Sequence, residues 1–259
     1  MSAIDNLFSG RFGVAMILAA GLTGCAGAEV GEPGDVGDEG DVAAAEGALF
    51  ASSTIVYGHL KAMDQGAPLA GVNVRACSSR DFACTAPASA DQTQKDGAFK
   101  LLVPLSTNTL AWDGYFDFSG GTAVSSIVYP SSSVSGATYD FSAPLPTGTM
   151  LDDAMDALGV KPDPRAGNLM VGGDSCDSCS GVSIGLEGLG RAMVWYTDDG
   201  VMSSGVSKTS KDGLAGIMNV PEGSWTLQIK DAATGELLAK KSIIIRGRTL
   251  TLVPMSFAH

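Results

Sequence analysis

From about residue 53 onward the chain is a succession of short apolar runs with a two-residue alternation, separated by Gly, Asp, Asn and Pro. Gly71-Val72-Asn73-Val74 and Gly181-Val182-Ser183-Ile184 each read as a turn followed by a strand whose alternate apolar residues face one side. Residues 98–103 and 214–220 read as strands that end at Val-Pro, because proline has no N–H to donate to a ladder. Trp225-Thr226-Leu227-Gln228-Ile229 alternates as a half-buried strand should, and residues 237–245 and 249–255 are expected to complete a meander. The pattern predicts an all-β protein with many turns.

The runs recur in order. Gly71-Val72-Asn73-Val74 precedes Thr93-Gln94-Lys95-Asp96-Gly97 and then Val103-Pro104. Gly181-Val182-Ser183-Ile184 precedes Thr209-Ser210-Lys211-Asp212-Gly213 and then Val220-Pro221. Asp-Gly tolerates the positive φ of a tight hairpin turn, so each Thr-x-Lys-Asp-Gly is expected to join two strands of a hairpin. A recurrence at about 110 residues points to duplicated domains, since solenoid periods run roughly 20 to 50 residues. Between the repeats, residues 125–146 are Ser-rich with scattered apolar positions, and read as closing strands or an ordered linker. Residues 149–158 (TMLDDAMDAL) read as one short helix, capped by Thr149, ended by Gly159, with Met150, Leu151, Met155 and Leu158 on its apolar side.

Gly71-Val72-Asn73-Val74, residues 93–99, Gly181-Val182-Ser183-Ile184 and residues 209–221 together resemble the carboxypeptidase regulatory-like domain, and Asn219-Val220-Pro221-Glu222-Gly223-Ser224-Trp225-Thr226-Leu227 looks most like that family's turn into a strand. The resemblance implies two tandem transthyretin-like or Ig-like β-sandwiches, over residues 48–147 and 166–259, joined by a helical linker over 148–165. It covers most of residues 53–120 and 166–257 and says little about function, because such sandwiches carry many roles. Nothing in the chain resembles the peptidase domain to which that appendage is attached.

The N-terminus has a different pattern. Residues 14–22 (VAMILAAGL) form an apolar run behind Arg11, the only Lys or Arg in the first 60 residues, and the run closes on Leu22-Thr23-Gly24-Cys25. A run this short is a secretory signal rather than a membrane span. The tetrapeptide resembles the lipobox of bacterial lipoproteins. By that resemblance residues 1–24 are removed, and Cys25 is acylated on its sulfur and new amino group. The protein is then held at the cell envelope, on the outer membrane, by its lipid. Each buried acyl methylene contributes about 0.8 kcal/mol to such anchoring. Residues 25–47 follow as a tether; from 26 to 47 there are seven acids, no base and no aromatic, a composition expected to stay disordered, with a root-mean-square reach of roughly 25 Å.

Charge and cysteines narrow the chemistry. A formal net charge of −12 argues against nucleic acid and against electrostatic binding to anionic lipid, which need a basic face. Besides Cys25 there are Cys77, Cys84, Cys176 and Cys179; in an oxidising compartment their proximity suggests the disulfides Cys77–Cys84 and Cys176–Cys179. A redox role for Cys176-Asp177-Ser178-Cys179 is disfavoured, because acidic neighbours raise a thiol pKa. A four-cysteine zinc site would need ligands from both domains. His59 and His259 are the only histidines, and no phosphate loop, dinucleotide fingerprint or nucleophile elbow occurs. No catalytic constellation, metal site or cofactor site is expected.

Aromatics are the remaining handle. Trp112, Tyr115, Phe116 and Phe118 cluster, and Trp195 and Tyr196 are adjacent, so one of the latter is expected in the core and the other exposed. Trp112, Tyr115, Trp195 and Tyr196 are thus candidates for stacking on a sugar or partner, although core packing also accounts for most of them. The expectation is a non-enzymatic lipoprotein with a binding or structural role toward an extracytoplasmic protein or polysaccharide. The alternatives are carbohydrate binding or adhesion through exposed aromatics, and thiol redox chemistry at Cys176 and Cys179.

Overall fold

The structure is a computed structural model that describes residues 53–172, 179–190, 192–198 and 200–255. The signal, Cys25, the acidic segment and Cys176 lie outside the described residues. The first half contains β1 (Ser53–Ala62), β2 (Asn73–Ser78), β3 (Ser89–Gln92), β4 (Ala98–Pro104), β5 (Ala111–Trp112), β6 (Gly114–Ser119), β7 (Ser126–Val128), β8 (Val134–Ser135) and β9 (Thr138–Leu145). After α1 (Gly148–Ala157) come β10 (Ala166–Val171), β11 (Val182–Leu186), β12 (Met193–Asp198), β13 (Val201–Ser203), β14 (Ala215–Pro221), β15 (Gly223–Asp231), β16 (Leu237–Ile245) and β17 (Leu250–Val253). The all-β class holds, and residues 125–146 supply closing strands rather than a linker.

The duplication extends to the hydrogen bonds. In the first half the Val72 N–H donates to Thr93 Oγ1 at 2.9 Å, and that hydroxyl donates to the Leu69 carbonyl at 2.6 Å. In the second half the Val182 N–H donates to Thr209 Oγ1 at 3.0 Å, and that hydroxyl donates to the Cys179 carbonyl. Both threonines are buried, so each side chain closes a backbone gap that water cannot reach. The strand pairing repeats too. β1 pairs antiparallel with β4 and parallel with β9, and β10 pairs antiparallel with β14 and parallel with β17. Likewise β2, β6 and β7 form one ladder and β11, β15 and β16 another.

The halves are not separate beads. β17 pairs parallel with β10 on one side and with β7 of the first half on the other, giving one sheet ordered β13-β12-β14-β10-β17-β7-β6-β2-β3. The small sheet β4-β1-β9 packs on one face of this long sheet and β11-β15-β16 on the opposite face. Alternation shows it residue by residue: Phe116 and Phe118 of β6 join the core with Phe99 and Phe141, whereas Tyr115 joins the core with Leu227 and Ile243. The expected meander is therefore corrected, since β15 and β16 form a hairpin but β17 leaves it for the long sheet.

The expected Thr-x-Lys-Asp-Gly hairpins are corrected as well. β3 pairs with β2 in the long sheet and β4 pairs with β1 in a small one, so the Asp96-Gly97 turn carries the chain between sheets. Side chains of β3 stand in for strand partners at this corner: the Lys100 N–H donates to Asp91 at 2.7 Å and the Leu102 N–H to Ser89 Oγ at 3.1 Å. The turn geometry itself is as expected, with φ of +82° at Gly97 and +62° at Gly213. A Cβ at Gly97 would press on the Leu60 carbonyl, and one at Gly213 would lie 2.9 Å from Cys179 Cβ. Gly97→Val and Gly213→Val are each expected to destabilise by about 1–3 kcal/mol. Because the halves share a sheet, both should lower one common urea transition, and parent-like melting of both would reject the turn assignment.

The helix is capped two residues earlier than expected. Thr147, not Thr149, is the N-cap, and its hydroxyl accepts from the Met150 N–H at 3.4 Å. β9 ends at Leu145, so the extended Thr147 is already placed to turn the chain. At the other end Gly159 has φ +66°, the Val160 N–H returns to the Met155 carbonyl and the Gly159 N–H to the Asp156 carbonyl, a Schellman stop. Met155 packs with Trp195 and Met218 on the face of the long sheet away from β11-β15-β16.

Candidate functional site

The aromatic residues singled out from the sequence are mostly core. Tyr115, Trp195 and Tyr196 are buried, and Trp112 is 9% exposed. The expectation that one of Trp195 and Tyr196 is exposed is corrected: the two do point to opposite faces, but α1 covers the Trp195 face while the Tyr196 hydroxyl accepts from the Ile184 N–H at 3.2 Å inside the other core. Burial raises the Tyr196 pKa, so it serves as a neutral buried acceptor. None of these four rings offers an open stacking face; Trp112 contributes an edge to a cleft.

That cleft, of about 810 Å³, lies between the halves. One wall is Ser79, Arg80, Asp113 and the loop at residues 129–133; the other is Ser224 with Lys240, Lys241, Ser242 and Ile244 of β15 and β16. Three cations face one carboxylate in a chain of net charge −12. Arg80 is held by its loop, which the Cys77–Cys84 disulfide closes and the Tyr115 hydroxyl pins by donating to the Asp81 carbonyl at 2.5 Å. Burial is the main reason that the Tyr115 pKa is pushed up to about 12, so this donor keeps its proton. Within the loop the Ala86 N–H donates to the Asp81 carboxylate at 2.8 Å, which holds that carboxyl below its usual range.

Lys241 is the most constrained cation. Its ammonium lies 4.9 Å from the centre of the Tyr129 ring. Burial lowers its pKa, and the nearby Asp113 acts in the opposite direction. The Tyr129 hydroxyl accepts from the Ile244 N–H at 2.9 Å, and burial raises its pKa above the ordinary tyrosine value. A partly desolvated ammonium beside hydroxyls is suited to an anionic group that replaces lost water. Lys240 is more open and lies 3.7 Å from Glu187, an exposed pair contributing little to stability.

Cys77, Cys84 and Asp117 lie close enough together to raise the question of a metal. The two sulfurs are bonded to each other, and Asp117 instead meets Arg75 at 2.5 Å and Arg246 at 3.0 Å. A carboxylate already flanked by two guanidinium groups is a poor cation ligand. Cys179 is buried and disulfide-bonded, which gives an exchange partner no access, and Cys176 lies outside the described residues. His59 sits exposed on β1. The sequence reading missed Arg80, Lys240 and Lys241; its available signal was Lys240-Lys241, the one Lys-Lys pair in the chain.

No protein-family model matches the chain, and no curated protein matches it significantly. Weak likenesses to solved structures exist. The Bacillus anthracis TIE protein is 11% identical over 80% of this chain and 34% of its own, with a TM-score of 0.26. The shaft pilin SpaA from Lactobacillus rhamnosus GG is 11% identical over 80% of this chain and 100% of its own, at 0.22. GBS52, the minor pilin of Streptococcus agalactiae, is 13% identical over 78% of this chain and 94% of its own, at 0.24. Likenesses this weak leave function to the chain's own residues. No helix among the described residues is long and apolar enough to cross a membrane.

Proposed function

We propose that the protein is a non-catalytic binding or structural component of the cell envelope, anchored through a lipid on Cys25, that presents the cleft between its halves to an anionic extracytoplasmic partner. The observation that carries the binding reading is the cleft itself: Arg80, Lys240 and Lys241 against Asp113, walled by serine hydroxyls, on an otherwise acidic chain. Charge-assisted hydrogen bonds from such cations are stronger than neutral ones and suit carboxylates. The anchor rests on the lipobox resemblance at Leu22-Thr23-Gly24-Cys25.

The cleft reading is tested with poly-L-glutamate and polygalacturonate as carboxylate-bearing probes and dextran as the uncharged control. Both charged probes are expected to bind in a salt-sensitive way, and Arg80→Ala with Lys240→Ala and Lys241→Ala to weaken binding at least tenfold. Affinity should fall as pH rises through the lowered pKa of Lys241, because an anion prefers the charged ammonium, which is present only below that pKa. Equal binding by the parent and the triple variant would refute the cleft. For the anchor, Cys25→Ser is expected to move the protein to the soluble fraction; retention on carbonate-washed membranes would refute it.

A further inference from the structure

We propose that the outer edge of β16 is a strand-addition site for an extended acidic polypeptide. This deepens the cleft reading and rests on it. β16 is the terminal strand of the order β11-β15-β16, so one of its edges has no strand partner among the described residues. The Ile244 N–H points away from β15, to the Tyr129 hydroxyl at 2.9 Å, and the Ile244 carbonyl accepts from Thr251 Oγ1 at 2.8 Å. Alternate residues of an antiparallel strand direct both backbone groups to the same side. Lys240 and Ser242 therefore present their N–H and carbonyl groups outward as Ile244 does, at a spacing of about 7 Å.

That edge borders the cleft, since Lys240, Ser242 and Ile244 all line it. Tyr129 and Thr251 close one end, at Ile244. Toward the other end Leu237 and Leu238 are each 44% exposed, an apolar foothold on the same strand. Lysine on an edge commonly discourages pairing with another sheet. Here the same lysines select the strand they admit. Consecutive residues point to opposite faces, so Lys240 and Lys241 flank an added strand on both sides, and acidic residues at successive positions each meet a cation. Arg80 on the opposite wall adds a third. Main-chain bonds along β16 supply affinity, and the cations supply preference for acidic sequence. A polysaccharide would satisfy the cations but has no strand-spaced backbone to pair with this row.

Three probes separate the possibilities. The first is an N-acetylated, C-amidated octapeptide of repeating Val-Val-Glu-Glu, which carries glutamates at successive positions and so on both faces. The second is the same peptide with every amide N-methylated, so that neither edge can donate. The third is polygalacturonate. The unmodified peptide is expected to bind and to slow amide hydrogen exchange at Lys240 and Ser242 at least tenfold, while the N-methylated peptide binds at least tenfold more weakly. Ser242→Pro removes an outward donor without touching the β15 ladder, and should lose the peptide while keeping polygalacturonate. Equal binding by both peptides, or unchanged exchange at Lys240 and Ser242 with the peptide bound, would overturn strand addition and leave the anionic cleft standing. Failure of all three probes to bind would overturn both.

Discussion

Asp117→Ala is expected to destabilise the protein by about 3 kcal/mol and to unfold both halves together. Asp117 lies on β6 with its side chain 6% exposed, opposite Arg75 on β2, and its Oδ2 also lies 3.0 Å from Arg246 of the second half. The Arg75 side chain is 34% exposed and its pairing alone would contribute little, whereas Arg246 is 15% exposed and loses its carboxylate in a place water scarcely reaches. The Arg246 guanidinium also sits 5.8 Å from the Tyr115 ring centre, and its Nε is already without a hydrogen-bond partner. Removing the carboxylate therefore strands a cation, and adding Arg246→Met to Asp117→Ala should recover much of the loss. Chemical denaturation of the single and double variants measures this; a loss under about 1 kcal/mol for Asp117→Ala would show that the cluster tolerates a vacant centre.

Gly216→Val is expected to cost about 3 kcal/mol or more, although valine is the better strand former. Gly216 sits in the middle of β14 directly opposite Trp195 on β12, and a Cβ there would run into the indole and the Leu169 carbonyl. The indole lies over the bare glycine backbone. The first half repeats the device, with Phe99 of β4 opposite Gly58 of β1. Gly185→Val on β11 is the control, since nothing lies within 4 Å of the added Cβ, and it should be neutral or mildly stabilising. If thermal melting shows the two variants equally stable, the ring-on-glycine packing is not what fixes β12 against β14.

What was legible in the sequence is what neighbouring residues decide. The Gly-Val strand starts, the Asp-Gly turns, the Val-Pro stops and the Cys77–Cys84 bridge are local, and the structure has them where the chain signals them. Partner choice was not legible. Leu250-Thr251-Leu252-Val253 carries Leu250 and Leu252 on one face and Thr251 and Val253 on the other, all buried, but nothing in it says that its second neighbour is β7, more than a hundred residues away. Alternation puts Trp195 and Tyr196 on opposite faces but does not tell inside from outside, because a single strand's pattern carries no record of a helix packed on its far face. The cleft is not legible in the sequence because its walls come from five separated segments that share no motif, while the aromatic residues mark the core.

The central position of β17 also sets the order of events in folding. A chain made from its N-terminus presents β7 with a bare edge for the whole interval in which residues 129–249 are added. Until the last strand arrives, the first half is an incomplete sheet whose growing side is open to any extended segment nearby. Closing it requires a contact of very long sequence separation, the slow kind, so the first half must wait unpaired or be shielded until the C-terminal strand is available. Loss of Leu250–Val253 would then be felt first in the half of the molecule made earliest.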